Sequence, residues 1–250
     1  MRPIIIIYYS SKKCWYMVFV IAEIGVNWDG NFETAKNMIK NAKISGCDAV
    51  KFQSFNEEII KNHPQKSRLI KSSISKNNIE IINELAKEIR IEWFCTPMTI
   101  DAIELLNPFV KRFKIREYDG RKLVENKMTD LFENLLKTEK QIMISTEKSP
   151  INCKFFKHSQ VEWLYCVPKY PCNINDLDFK NIKEFHGFSN HCCEIAAPLT
   201  AAILGANIIE IHITSDKSKD FFDNNVSFEY TELNELVRLI RCFEKLAMEY

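Results

Sequence analysis

The chain has 250 residues, 46% of them hydrophobic and 27% charged, and a formal net charge of +1. That is the profile of a globular protein with length for one large core; no basic excess points to nucleic acid and no acidic excess to disorder. An apolar run at residues 4–9 is cut off by Lys12 and Lys13, too soon for a signal-peptide core or a membrane span.

Nine cysteines, an odd number with no Cys-x-x-Cys pair, argue against a disulfide framework. Reduced, mostly buried thiols in a cytoplasmic protein with no membrane or nucleic-acid partner are expected.

In chain order, the first expected element is a β-hairpin, residues 4–9 against 16–22. Strands follow at 18–22, 49–52, 92–95, 112–115, 141–145, 161–166, 187–189 and 207–212. Helices are expected at 32–45, 79–89, 100–106, 122–136, 177–185, 194–204 and 231–249. The helix at 32–45 shows the pattern well. Ala35, Met38, Ile39 and Ala42 share one face, Lys36, Asn37, Lys40 and Lys43 the other, and Gly46 ends it. The stretch 146–160 is poorly helical and is expected to carry only a loop or one turn.

Eight strands with interposed helices predict an α/β fold, a (β/α)8 TIM barrel over residues 18–250 preceded by a short hairpin over 1–17. An open doubly wound sheet is the alternative. It is disfavoured by eight regular repeats without a glycine-rich phosphate turn. In a barrel, polar residues just after the strands face the active-site mouth. Those are Glu23 and Asn27, Lys51, Gln53 and Ser54, Thr96, Lys114 and Glu117, Ser145 and Thr146, Lys169 and Tyr170, Ser189, Asn190 and His191, and His212, Thr214 and Asp216. One helical stretch separates His191 from His212, so the two imidazoles stand on adjacent strand ends and form a candidate divalent-metal site.

These strand-end sequences carry a resemblance. Ile21-Ala22-Glu23-Ile24-Gly25-Val26-Asn27, Lys51-Phe52-Gln53, Phe94-Cys95-Thr96-Pro97, Phe113-Lys114-Ile115, Ile144-Ser145-Thr146, Tyr165-Cys166-Val167-Pro168-Lys169-Tyr170-Pro171, Ser189-Asn190-His191 and Glu210-Ile211-His212-Ile213-Thr214 resemble, in order, the eight strand signatures of the sialic acid synthase (N-acetylneuraminate synthase) family. The resemblance implies a transferase of carbohydrate biosynthesis. It would condense phosphoenolpyruvate with an N-acylated aldose, N-acetylmannosamine or a related amino sugar, to a nine-carbon 2-keto acid with loss of phosphate. It implies a divalent cation, Mn2+ or Mg2+, on His191 and His212. Lys51 and Lys114 match lysines that hold phosphoenolpyruvate, and Glu23 matches an acid implicated in proton transfer; Glu23 also suits Lys51 as an ion-pair partner. Asn27, Gln53, Thr96, Ser145, Tyr170, Ser189 and Asp223 match substrate-lining positions. The resemblance covers the barrel alone. The family's small C-terminal antifreeze-like domain, which reaches across a homodimer to the partner's barrel, is expected to be absent.

The chain departs from the family pattern at several places. Trp28 stands for a histidine, Glu117 for a serine, Glu147 for a glycine, Pro168 for an asparagine or serine, Asn190 for an aspartate, and Phe221-Phe222 for Gly-Pro. A carboxylate at Glu117 repels phosphate unless Arg116 compensates it or it points away. The alternatives left open are a metal-dependent aldolase or lyase on the same barrel, and a degenerate barrel that only binds a sugar or a partner.

Overall fold

The alternation of apolar strands and amphipathic helices resolves, in a computed structural model describing residues 17–248, into eight parallel strands that close in the order β1 to β8. They are β1 (Phe19–Gly25), β2 (Ala49–Ser54), β3 (Glu92–Pro97), β4 (Arg112–Ile115), β5 (Gln141–Thr146), β6 (Val161–Tyr165), β7 (Gly187–Asn190) and β8 (Ile208–His212). Closure is made by β1, which pairs Ile21 with Ala49 on β2 and Phe19 with Ile208 on β8. The strands are buried on both faces, one towards the barrel interior and one towards the helices, which is why they read as near-continuous apolar runs. The expected barrel is therefore the observed one. The expected hairpin's residues 1–16 lie outside the described residues.

Around the barrel lie α1 (Phe32–Ile44), α2 (Lys66–Leu69), α3 (Ile79–Ile89), α4 (Ile100–Leu106), α5 (Glu117–Val124), α6 (Asp130–Leu136), α7 (Ala196–Ile203) and α8 (Tyr230–Met248). The first begins where Asn31 Oδ1 accepts from Thr34 N at 3.0 Å, an N-cap. It buries Ala35, Met38, Ile39 and Ala42, and Gly46 at φ +87° turns the chain out of it. No helix among the described residues is long and apolar enough to cross a membrane.

Two expected elements differ, and one connection carries elements that were not expected. The single helix at 122–136 is two helices, because Asn126 takes φ +61° and Thr129 caps a new start, its Oγ1 accepting from Phe132 N at 3.2 Å. The helix expected at 177–185 is instead 3-10 turns at Ile174–Asp176 and Phe179–Glu184, the second interrupted at Asn181. The connection after β2 carries the one-turn α2 and a 3-10 turn at Ile70–Ser72 that apolar periodicity did not signal.

One close approach positions the mouth. A Cβ on Gly120 would lie 2.1 Å from the Ser145 carbonyl oxygen, so only glycine lets α5 rest directly on the end of β5. That contact brings the first turn of α5 to the rim of the barrel.

Candidate active site

The C-terminal ends of the eight strands surround one cavity of about 480 Å³, at the end of the barrel where such folds carry their chemistry. Glu23, Lys51, Gln53, Thr96, Lys114, Ser145, Tyr170, Ser189, His191, His212 and Asp223 all line it. Asn27 does not. It is fully buried behind the wall, donating from Nδ2 to Ile213 O at 2.9 Å and Ser227 Oγ at 3.0 Å, while its Oδ1 accepts from Asp223 N at 2.9 Å. Its work is to hold the loop after β8, and with it Asp223, against the cavity.

The floor is a chain of buried charges. Lys51 Nζ lies 2.6 Å from Glu23 Oε2 and 3.7 Å from Glu210 Oε2, and donates to Thr96 Oγ1 at 3.2 Å. Lys114 Nζ donates to Glu210 Oε1 at 3.2 Å and to Ser145 Oγ at 2.7 Å. Ser189 Oγ donates to the same Glu210 oxygen at 2.7 Å. Gln53 Nε2 donates to Glu23 Oε1 at 3.2 Å.

These neighbours set the proton affinities. Burial alone would raise Glu210, but Lys114 and Lys51 outweigh it and hold the carboxyl at about 2. Burial dominates at Glu23 and raises it, with Lys51 opposing. Burial would lower Lys51, but Glu210 and Glu23 together raise it. At Lys114 burial prevails over the attraction of Glu210, and its proton affinity falls.

Glu210 is the member of this network that sequence reasoning did not select. It stands between Ile209 and Ile211 in a strand that is buried throughout. The available signal was its spacing of two from His212, which puts both on the same face of β8.

At the ends of β7 and β8 stand the two histidines, ring centroids 5.3 Å apart. His191 Nδ1 lies 2.9 Å from the Val167 carbonyl oxygen. As the donor of that bond it leaves Nε2 unprotonated, the tautomer that a metal ligand needs. Burial lowers the proton affinity of His191. His212 Nδ1 is buried without a hydrogen-bond partner and lies 3.5 Å from Asp223 Oδ2. Tyr170 covers the pair, its ring centroid 4.1 Å from that of His191. Among the described residues no three ligating side chains converge as a complete metal cage. The arrangement fits a cation held by two imidazoles, with substrate or water oxygens filling the remaining positions.

The rim departs from the floor in character. On one side Phe55, Ile59, Ile60, Leu69, Met98 and Phe222 form an apolar wall. Arg68 ties its two loops together, with its guanidinium 4.7 Å from the Phe222 ring and its Nε donating to Asp29 Oδ1 at 2.8 Å. On the other side are Arg116, Glu117 and Arg121. Glu117 is paired with Arg121 rather than with Arg116, which instead donates to Asp119 Oδ2 at 2.8 Å. Pro168 lines the cavity. Glu147 is exposed outside it. Asn190 is buried and closes a turn by donating to Cys192 O at 2.7 Å. Trp28 belongs to the core, edge-on to Phe52, and donates from Nε1 to Ser72 O at 2.9 Å.

A profile of the NeuB family matches residues 38–249. The N,N'-diacetyllegionaminic acid synthase of Legionella pneumophila is 31% identical over 273 residues, which span 93% of this chain and 72% of that protein. The N-acetylneuraminate-9-phosphate synthase of Mus musculus is 31% identical over 261 residues, spanning 91% and 70%. Among solved structures, the N-acetylneuraminic acid synthetase of Leptospira borgpetersenii in complex with citrate is similar with a TM-score of 0.81 and 27% identity, over 93% of this chain and 86% of that one.

Proposed function

The chain belongs to the NeuB family, whose members are phosphoenolpyruvate-dependent condensing enzymes of nonulosonic acid biosynthesis, and we propose that its substrates are phosphoenolpyruvate and an N-acylated aldose of the N-acetylmannosamine type. The observation that carries this reading is one cavity lined by two buried lysines, from β2 and β4, and two imidazoles, from the ends of β7 and β8.

Each pair suits one partner of a carbon–carbon condensation. Lys51 and Lys114 present desolvated ammonium donors to the carboxylate and phosphate of phosphoenolpyruvate, where charge-assisted hydrogen bonds are strong. Thr96, Ser145 and Ser189 add hydroxyls beside them. His191 and His212 would hold a divalent cation, Mn2+ or Mg2+, which supplies Lewis acidity towards the aldehyde when bound. Asp223, Gln53 and Tyr170 border the acceptor's position, and the aromatic and aliphatic wall beyond them suits an acylamino group.

In the reaction, C3 of the enol attacks the aldehyde carbon of the open-chain sugar, forming the new C–C bond as the C=O π bond opens to an alkoxide that takes up a proton. Water adds at C2, and the C2–O bond to phosphate then breaks as the new C2 hydroxyl gives its proton to the departing phosphate, leaving the ketone. Glu23, held between Lys51 and Gln53, is positioned to take the proton that the water gives up.

The test is mass spectrometry of mixtures of the protein, phosphoenolpyruvate, Mn2+ and a panel of N-acylated aldoses. A 2-keto acid three carbons longer than one acceptor is the expected product. Phosphoenolpyruvate left untouched, with pyruvate released from a longer 2-keto acid supplied in a parallel mixture, would favour an aldolase instead.

A further inference from the structure

The floor of the cavity has no surplus of positive charge. Lys51 is matched by Glu23 at 2.6 Å and Lys114 by Glu210 at 3.2 Å. A phosphate ester needs net positive potential as well as donors. Among the described residues, the remaining cationic side chains that line the cavity are Arg116 and Arg121. Arg116 is engaged with Asp119 and leans over Tyr118 with 5.1 Å between guanidinium carbon and ring centroid.

Arg121 lies 5.9 Å from the same ring, but its acid partner Glu117 lines the cavity, as Asp119 does not. Its Nε and Nη2 both donate to one oxygen of Glu117, Oε2, with Nε at 3.0 Å. Its Nη1 donates to no residue among those described. The Arg121 side chain is 48% exposed and that of Glu117 only 9%. The acid is therefore fixed in the wall, while the arginine covers it and can shift. Glu117 and Arg121 stand one turn apart on α5 with Gly120 between them, and Gly120 rests on Ser145. The pair lines the cavity together with Ser145, whose hydroxyl accepts from Lys114.

We propose that Arg121 is the phosphate-clamping residue of this site, with Glu117 as its resting counterion. When phosphoenolpyruvate enters, its phosphate takes the Nη1–Nη2 edge of the guanidinium, and Glu117 keeps Nε. The planar fork allows both acids to be served at once, which a lysine could not do. Glu117 would otherwise repel the substrate; here it holds the arginine at the rim in the orientation that the phosphate needs. This assignment rests on the phosphoenolpyruvate reading above.

A double-mutant cycle separates a direct clamp from simple neutralisation of Glu117. Wild type, Glu117→Gln, Arg121→Gln and the double variant are titrated with phosphoenolpyruvate and, separately, with inorganic phosphate by calorimetry. Thermal melts accompany each titration. The double variant replaces the ion pair with two neutral amides, so it leaves no buried unpaired charge. The expected result is that Glu117→Gln binds phosphoenolpyruvate as well as wild type or better. The double variant then binds it roughly tenfold or more weakly than Glu117→Gln, with phosphate following the same order. Equal affinity of the double variant and Glu117→Gln would overturn the clamp and leave the proposed function standing. Failure of the folded wild type to bind either anion would overturn both.

Discussion

Glu210 Oε1 lies 3.2 Å from Lys114 Nζ, while the other oxygen of the same carboxylate lies 3.7 Å from Lys51 Nζ. One buried acid on β8 thus joins two lysines that project from β2 and β4, across the width of the barrel. Glu210→Gln keeps the shape and a hydrogen-bond acceptor for Ser189 but removes the charge that both ammonium groups face. Breaking a buried pair on one side typically costs about 3–5 kcal/mol. Urea unfolding should show a loss near the lower end of that range, and turnover of phosphoenolpyruvate should fall. Unchanged stability would mean that the two lysines do not depend on Glu210.

Gly25 takes φ +54° at the bulge that ends β1, and a Cβ there would stand 3.0 Å from Glu23 Oε1 and 3.2 Å from Asp223 Oδ2. Gly25→Ala therefore adds backbone strain of about 1–2 kcal/mol and crowds both acids. Activity should drop much more than the melting temperature does. If kinetics stay at the wild-type level, the positions of Glu23 and Asp223 are less critical than the geometry implies.

His186 gives a pH dependence away from the site. Its Nδ1 accepts from Trp163 N at 2.9 Å, a bond that only the unprotonated nitrogen can receive. Burial lowers its pKa below the ordinary 6.5, against the opposing charge of Glu162. The unfolded chain then binds the proton more tightly than the folded one. The contribution of His186 is complete above about pH 6.5 and declines as the pH falls below it. Chemical denaturation between pH 5 and 8, with His186→Asn as the comparison, should show the extra decline in the wild type alone. Parallel profiles for the two proteins would rule this out.

His212→Ala removes one imidazole of the pair and the buried Nδ1 that lacks a partner. Mn2+ binding, followed by electron paramagnetic resonance of free Mn2+, should be lost while the circular dichroism spectrum is kept. Undiminished Mn2+ affinity in the folded variant would remove these histidines as the cation's ligands.

Much of the fold was legible because strand and helix periods differ. The eight apolar segments and the face of α1 follow from side-chain spacing alone. The break between α5 and α6 was not legible, since it depends on Asn126 adopting a left-handed conformation that many asparagines do not adopt. Most residues of the cavity could be found by reading the polar positions at strand ends. Glu210 escaped because it lies inside an apolar strand, and its partners Lys51 and Lys114 are 159 and 96 residues away in sequence. Asn27 is a strand-end residue that turned away from the cavity, because the loop after β8 offers it three hydrogen-bond partners. Arg121 could be linked to Glu117 only once α5 was seen to start at Glu117 rather than at residue 122.

The most direct measurement is release of inorganic phosphate from phosphoenolpyruvate by the wild-type protein, with Mn2+ and an N-acylated aldose, with and without EDTA. The expected result is release that requires the aldose and stops when EDTA is added. Release that continues without the aldose, or that EDTA leaves unchanged, would contradict it.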